Sequence, residues 1–238
     1  MKPSLVDIHC HILPGVDDGA KDMDMALEML RKEAEDGVSD VILTPHFVSE
    51  HEADHNYAQR FAELKEKVNE AFPELTLHLG RELFFSHSIP DLLESGRLQY
   101  MGDSNYALIE FAPDSDYQYI YRSLTYLSQS GVQPVLAHVD RVNNVGTKQA
   151  IELVKSGIYI QVNAGSIYGK NGFRTRRKVQ KLLQSGLIHF VGSDAHNTTS
   201  RAPDMKEAYE YTQKKYGRGC ANAIFIDNPH QMLQNQYL

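Results

Sequence analysis

The sequence predicts an α/β chain folded as a distorted (β/α)7 TIM-like barrel, with a metal centre at the C-terminal mouth. Three observations lead there. Short β-type runs alternate with longer amphipathic stretches, the pattern of parallel strands joined by helical crossovers. The first run, Val6-Asp7-Ile8-His9-Cys10-His11, stops in Asp-x-His-x-His. Ligand-type side chains then recur at the ends of five further runs, and only a barrel gathers strand ends at one mouth, where barrel active sites sit.

The strand candidates are residues 6–9, 40–44, 76–81, 106–111, 133–137, 159–162 and 189–192. Between the first two, Met23, Ala26, Leu27, Leu30 and Ala34 recur at helical spacing, and Gly37 closes the stretch. Further helices are read over 57–71, 119–130, 148–156, 173–185 and 202–216, with a short one at 229–234. Gly131, Gly157 and Gly186 follow three of them, as left-handed C-terminal caps do. No linker, repeat or composition shift divides the chain, so residues 1–238 are read as one domain.

Charge and composition exclude several functions. A formal net charge of −7 argues against a nucleic-acid partner, which demands clustered Lys and Arg. The one basic run is Arg174-Thr175-Arg176-Arg177-Lys178, read first as a solvated helix face and alternatively as a dock for an acidic or phosphorylated partner. Cys10 and Cys220 make no disulfide framework. Lys2 and Asp7 interrupt what a signal peptide would need as an apolar core, and no apolar run approaches the ~20 residues of a membrane span. A cytoplasmic protein without membrane insertion is expected.

The polar residues carry the chemistry. Strand alternation places Asp7, His9 and His11 on one face, where unpaired buried polar groups would cost roughly 2–7 kcal/mol. His46 follows the second run, Glu82 the third, Glu110 ends the fourth, His138 ends the fifth, and Asp194 and His196 follow the seventh. With Asp18 of Gly15-Val16-Asp17-Asp18-Gly19, these make five imidazoles and four carboxylates. One ion takes about four ligands, so the set suits two or three. Closely spaced ions acidify a shared water and clamp substrate oxygens, as phosphoester hydrolysis requires. Nitrogen and oxygen donors without thiolate suit manganese, iron or zinc.

Asp7 is read as orienting a ligand histidine or bonding a strand end. The Asp17-Asp18 pair reads equally as turn chemistry. Arg141 and Arg201 stand near ligands and are candidates to bind phosphate, with salt bridges to Asp140 or Asp204 as the plainer alternative. His51, His55, His78, His87, His189 and His230 read as surface or core histidines. Tyr117, Tyr119 and Tyr121 read as packing, with a wall for an aromatic substrate as the alternative. A cysteine phosphatase needs Arg six residues after its thiolate, but Val16 and Ile226 stand there.

Taken together, Asp7-Ile8-His9-Cys10-His11-Ile12-Leu13, Val16-Asp17-Asp18-Gly19, residues 106–111, Ala137-His138-Val139-Asp140-Arg141, Ser193-Asp194-Ala195-His196-Asn197 and Phe225-Ile226-Asp227-Asn228-Pro229 resemble the polymerase and histidinol phosphatase (PHP) superfamily. Within it the chain is similar to the manganese-dependent protein tyrosine phosphatases of bacterial capsule and exopolysaccharide loci. Asp140 stands where that family often has Glu.

The resemblance implies one metal on His9, His11, Glu82 and Asp194, a second on Glu82, Glu110 and His138, and a third on Asp18, His46 and His196. It implies that Arg141 and Arg201 bind phosphate, with Asp194 or His196 available for proton transfer. The implied substrate is phosphotyrosine on the tyrosine-rich tail of a membrane-associated bacterial tyrosine kinase. Three rivals stay open: a small-molecule phosphatase of the histidinol-phosphate type, an amidohydrolase, and a metal-binding scaffold. The amidohydrolase would need a modified Lys where Glu110 stands.

Overall fold

A computed structural model describes residues 4–48 and 57–238. Its strands are β1 (Leu5–Cys10), β2 (Val38–Leu43), β3 (His46–Phe47), β4 (Thr76–Leu79), β5 (Glu82–Phe84), β6 (Tyr106–Glu110), β7 (Gln133–Leu136), β8 (Tyr159–Asn163) and β9 (Phe190–Gly192). They pair in the orders β1-β2-β4 and β3-β5-β6-β7-β8-β9, and every pairing is parallel.

Nine strands occupy seven positions around the barrel, because β3 continues β2 and β5 continues β4 after a break. Pro45, which has no N–H to give a ladder, lies in the first break, and Gly80-Arg81 in the second. The Gly80 N–H bonds to the Leu43 carbonyl (2.8 Å) and the Glu82 N–H to that of Pro45 (3.2 Å), so pairing carries across both breaks. The ring closes where β9 runs on beside β1: the Asp194 N–H donates to the His9 carbonyl (2.8 Å) and the His11 N–H to that of Ala195 (2.9 Å). Gly192 permits this approach, since a Cβ there would lie 2.5 Å from that of His9.

The helices are α1 (Met23–Asp36), α2 (Tyr57–Ala71), α3 (Ile89–Glu94), α4 (Tyr117–Gln129), α5 (Thr147–Lys155), α6 (Ala164–Tyr168), α7 (Phe173–Gln184), α8 (Met205–Tyr216), α9 (Arg218–Asn222) and α10 (Asn228–Leu233). Asp22 caps α1 by accepting from the Met25 N–H (2.9 Å), and Gly37 ends it at φ 87°. The short α3, α6 and α9 lie where no helix is read from the sequence. Among the described residues, no helix is long and apolar enough to cross a membrane.

Two apolar cores follow from strand alternation. Val6, Ile8, Ile42, Leu108, Val135 and Phe190 belong to one, which Met232 of α10 joins. Ala26, Met29 and Leu30 of α1, with Ile120, Leu124 and Leu127 of α4, pack into the larger one.

The first strand departs from the expected alternation. The register of β1 against β2 shifts between Asp7 and Cys10. Asp7 consequently lies beside Glu33 of α1, rather than sharing a face with His9 and His11. Its carboxylate instead accepts from the N–H groups of His9 (3.1 Å) and Ser193 (2.9 Å) and from the Ser193 hydroxyl (2.5 Å). It therefore ties β1 to the turn that bears Asp194.

Candidate metal centre

Nine side chains of metal-ligating type meet at the C-terminal mouth. His9 comes from β1, His11 follows it, and Asp18 comes from the next loop. His46 opens β3, Glu82 opens β5, and Glu110 ends β6. His138 follows β7, while Asp194 and His196 follow β9. Three groups have donor atoms within 4.8 Å of one another: His11, Asp18, His46 and His196; His9, His11 and Asp194; and His46, Glu82 and Glu110. His138 Nε2 reaches Glu82 at 2.7 Å and Glu110 at 3.5 Å.

The donor chemistry fits metal ions. Glu82, buried, is ringed by four imidazoles: His138 at 2.7 Å, His46 at 3.0 Å, His11 at 3.2 Å and His9 at 3.3 Å. The Nε2 atoms of His9 and His11 point at each other across 3.2 Å. Such convergence of nitrogen and carboxylate donors is costly as ordinary packing and natural around shared cations.

The electrostatics run the same way. Burial opposes charge on His11, but hydrogen bonds to Asp17 and Glu82 lift its pKa to about 10. Burial likewise opposes charge on His138, and Glu110 and Glu82 raise it to about 10. Burial would raise Asp194, yet the charges of His9 and His11 bring it to about 2, while Glu82 lies well below the usual carboxylate range despite its burial. His196 differs: burial and the His11 charge lower it to about 4. The carboxylates thus make a field that favours positive charge, whether proton or metal.

Several orienting residues escaped the sequence reading. Asp17, which the sequence left open with Asp18 between turn and ligand, accepts from His11 Nδ1 (2.7 Å) and from the N–H groups of Gly19 (3.0 Å) and His46 (3.1 Å). It orients the ligand histidine, the role considered for Asp7. Gly19 lets this loop fold onto the strand end, because a Cβ there would collide with the His11 carbonyl.

β8 brings no ligand but two amides. Gln161 Oε1 accepts from the His138 N–H (2.5 Å) and faces His9 Nδ1 (3.5 Å), and Asn163 Nδ2 donates to Asp194 (2.7 Å). The alternation of Gln161 and Asn163 in an otherwise apolar strand was the signal available. His138 and Asp194 both adopt left-handed backbone, at φ 27° and 53°, a strained state for such residues and a frequent one at functional sites.

Both arginines converge on one carboxylate. Arg141 donates to Asp194 Oδ2 (3.1 Å) and Arg201 to Oδ1 (2.9 Å), and both side chains are about two-fifths exposed. Neither pairs with Asp140 or Asp204. Asp140 accepts from the Asn163 N–H and the Ser166 hydroxyl, and Asp204 pairs with Lys170. A polar cleft of about 570 Å³ opens beside them, lined by Arg141, Asn143, Asn171, Thr175 and Arg201.

The remaining candidates sort by contact. Cys10 is buried, its Sγ directed at the Ile42 carbonyl and its thiol pushed up by burial, which disqualifies it as a nucleophile. His78 pairs with Asp40 (2.9 Å), and the His87 ring stands edge-on to Phe85 and Tyr126. His230 lies in α10, and His51 and His55 lie outside the described residues. Tyr117 and Tyr121 bond Glu152 and Ser156 (2.7 and 3.0 Å), joining α4 to α5.

A parallel barrel whose mouth gathers these donors beside two arginines defines a metal-dependent hydrolase. The CpsB/CapC family, described as acting in capsular polysaccharide synthesis, matches residues 5–234, and the chain belongs to it. It is 30% identical over 246 residues to the tyrosine-protein phosphatase CpsB of Streptococcus pneumoniae, covering 98% of this chain and all of that one. It superimposes with a TM-score of 0.88 and 29% identity on a chain from the crystal structures of YwqE from Bacillus subtilis and CpsB from Streptococcus pneumoniae, described as unique metal-dependent tyrosine phosphatases. That match covers 98% of this chain and 95% of the other. The lactonase Lmo2620 of Listeria monocytogenes, at 11% identity and a TM-score of 0.61, shares the barrel fold, with coverage of 99% and 96%.

Proposed function

We propose that this chain is a metal-dependent protein tyrosine phosphatase acting in capsular or exopolysaccharide synthesis. The observation that supports it best is the convergence of Arg141 and Arg201 on Asp194, at the edge of the nine-ligand centre. A purely structural metal site has no use for two partly exposed guanidinium groups, whereas a phosphoryl group is bound by them bidentately.

His9, His11, Asp18, His46, Glu82, Glu110, His138, Asp194 and His196 would hold two or three ions, with manganese the first choice and iron or zinc the others. Such ions supply Lewis acidity toward the phosphoryl oxygens and an acidified water for attack. Arg141 and Arg201 hold the non-bridging oxygens and take up charge as the P–O bond lengthens. The departing tyrosine has a pKa of ≈ 10, so it needs little acid help, and Asp194 and His196 are the candidates for what proton transfer occurs. Gln161, Asn163 and Asp17 keep His9, His138, Asp194 and His11 in place. At a finer level, the substrate is the tyrosine-rich tail of a membrane-associated bacterial tyrosine kinase, met in the cytoplasm.

The deciding experiment measures the metal content of the purified protein together with turnover of phosphotyrosine peptide, phosphoserine peptide and histidinol phosphate. Phosphotyrosine turnover that chelators abolish and thiol alkylation spares is expected. Preference for histidinol phosphate, or turnover that survives chelation and dies on alkylation, would overturn the proposal.

A further inference from the structure

A second concave surface lies across the rim from the cleft that holds Arg141. It is a groove of about 570 Å³ between the start of α5 and one face of α7, lined by Thr147, Phe173, Arg174, Arg177, Lys178 and Lys181. The segment from Asn143 to Thr147 and the start of α7 form the wall between the two, since Asn143 and Thr175 face the cleft and Thr147 and Arg174 the groove.

Two features of the groove point to an anionic occupant, and a third suits a polypeptide. Among the described residues its lining contains four cationic side chains and no carboxylate. Among the described residues, no carboxylate pairs with Arg174, Arg177 or Lys181, although the chain has 31 acidic residues against 24 Lys and Arg. Phe173, 76% exposed at its edge, gives the groove an apolar contact suited to a polypeptide rather than to a bare anion. Lys178 is the exception, its ammonium engaged by the carbonyls of Val139 (2.6 Å) and Val142 (2.5 Å).

We propose that this groove binds the acidic polypeptide that flanks the target phosphotyrosine, so that the enzyme selects protein substrates by charge outside the metal centre. The proposal rests on the phosphatase reading and deepens it. A substrate chain with its phosphotyrosine in the mouth must cross one rim, and this rim carries the complementary charge. Exposed charges steer and hold such a chain through KM rather than through the chemical step, and salt screens them.

The test compares three phosphotyrosine peptides of one core sequence, with acidic, neutral or basic flanks on either side, and p-nitrophenyl phosphate, which has no flanks. The metal-loaded full chain and its Arg174→Ala/Arg177→Ala/Lys181→Ala variant are assayed at low and high salt. In the unsubstituted enzyme the acidic peptide is expected to exceed the neutral one by about tenfold in kcat/KM, through KM. That advantage disappears in the triple variant and at high salt, while p-nitrophenyl phosphate is turned over equally by both proteins.

No preference for acidic flanks, or an equal loss on p-nitrophenyl phosphate, would overturn the proposal. So would unchanged peptide kinetics alongside lost binding to anionic phospholipid vesicles, which would assign the groove to a membrane. No turnover of any phosphotyrosine peptide would instead remove the phosphatase reading, and the groove's role with it.

Discussion

His11 and His189 mark the two ends of what this barrel does to an imidazole. His11 lies between two carboxylates and is lifted to about 10, whereas His189 has burial alone and is lowered to about 4. His189 sits among Tyr159 and Phe190, and its Nδ1 accepts from the Ile160 N–H (3.1 Å). A depressed folded pKa means that the unfolded chain takes up the proton first. The stabilisation is therefore complete above the unfolded value near 6.5 and is lost as pH falls toward about 4. His189→Asn keeps an acceptor at the same branch and cannot titrate. Between pH 7 and pH 5 the metal-free protein should lose on the order of 1–2 kcal/mol more stability than this variant, as read by urea denaturation. Equal acid sensitivity of the two would show that His189 titrates normally.

At the scale of elements, the legible parts were those whose periodicity is local. The helix at 57–71 was read as it stands, and α1, α4, α5 and α7 within two residues, because their apolar stripes and terminal glycines are written in the sequence. The breaks that set β3 and β5 apart were not legible, since a run ending in a ligand reads alike whether or not the ladder is offset. The β1 register shift was hidden for the same reason, and with it the true partners of Asp7. Eight of the nine candidate ligands were legible because polar residues at the ends of buried strands have few uses, whereas Asp18 stands in a turn and was favoured over Asp17 only by the family resemblance. Gln161, Asn163 and Asp17 were not, because amides and turn aspartates have many. The basic run 174–178 divides in three: Arg174 and Arg177 face the groove, Arg176 bonds the Tyr211 hydroxyl (2.8 Å), and Lys178 holds the turn after β7. That turn bears His138 and Arg141, so Lys178→Met should cost about 1–3 kcal/mol in urea denaturation and lower kcat several-fold at saturating metal. Unchanged stability and turnover would mean the two carbonyls are equally well served by water.

At the scale of the whole molecule, the ligands are arranged so that six of the seven strand positions end in the same few ångströms. β1, β3, β5 and β6, with the segments after β7 and β9, each contribute at least one donor. Bound ions would therefore join segments far apart in sequence, including the β9-to-β1 seam that closes the ring through only a few backbone bonds. A ligand that binds the folded chain alone stabilises it by RT ln(1 + [L]/Kd), about 4 kcal/mol at a thousandfold excess over Kd. For a chain of 238 residues, each kcal/mol moves Tm by roughly 2–4 °C. Stripping the metal should thus lower Tm by roughly 10 °C, and re-addition of manganese should restore it. The same titration on Glu82→Gln, which removes the carboxylate ringed by four imidazoles, should show a much smaller shift. The metal-free variant should itself be less stable than the metal-free parent, because the imidazoles that Glu82 holds charged lose their buried partner, so the metal-induced shift, not the starting Tm, is the readout. A Tm indifferent to metal in the unsubstituted chain would mean that the folded chain does not hold the ions at these nine residues.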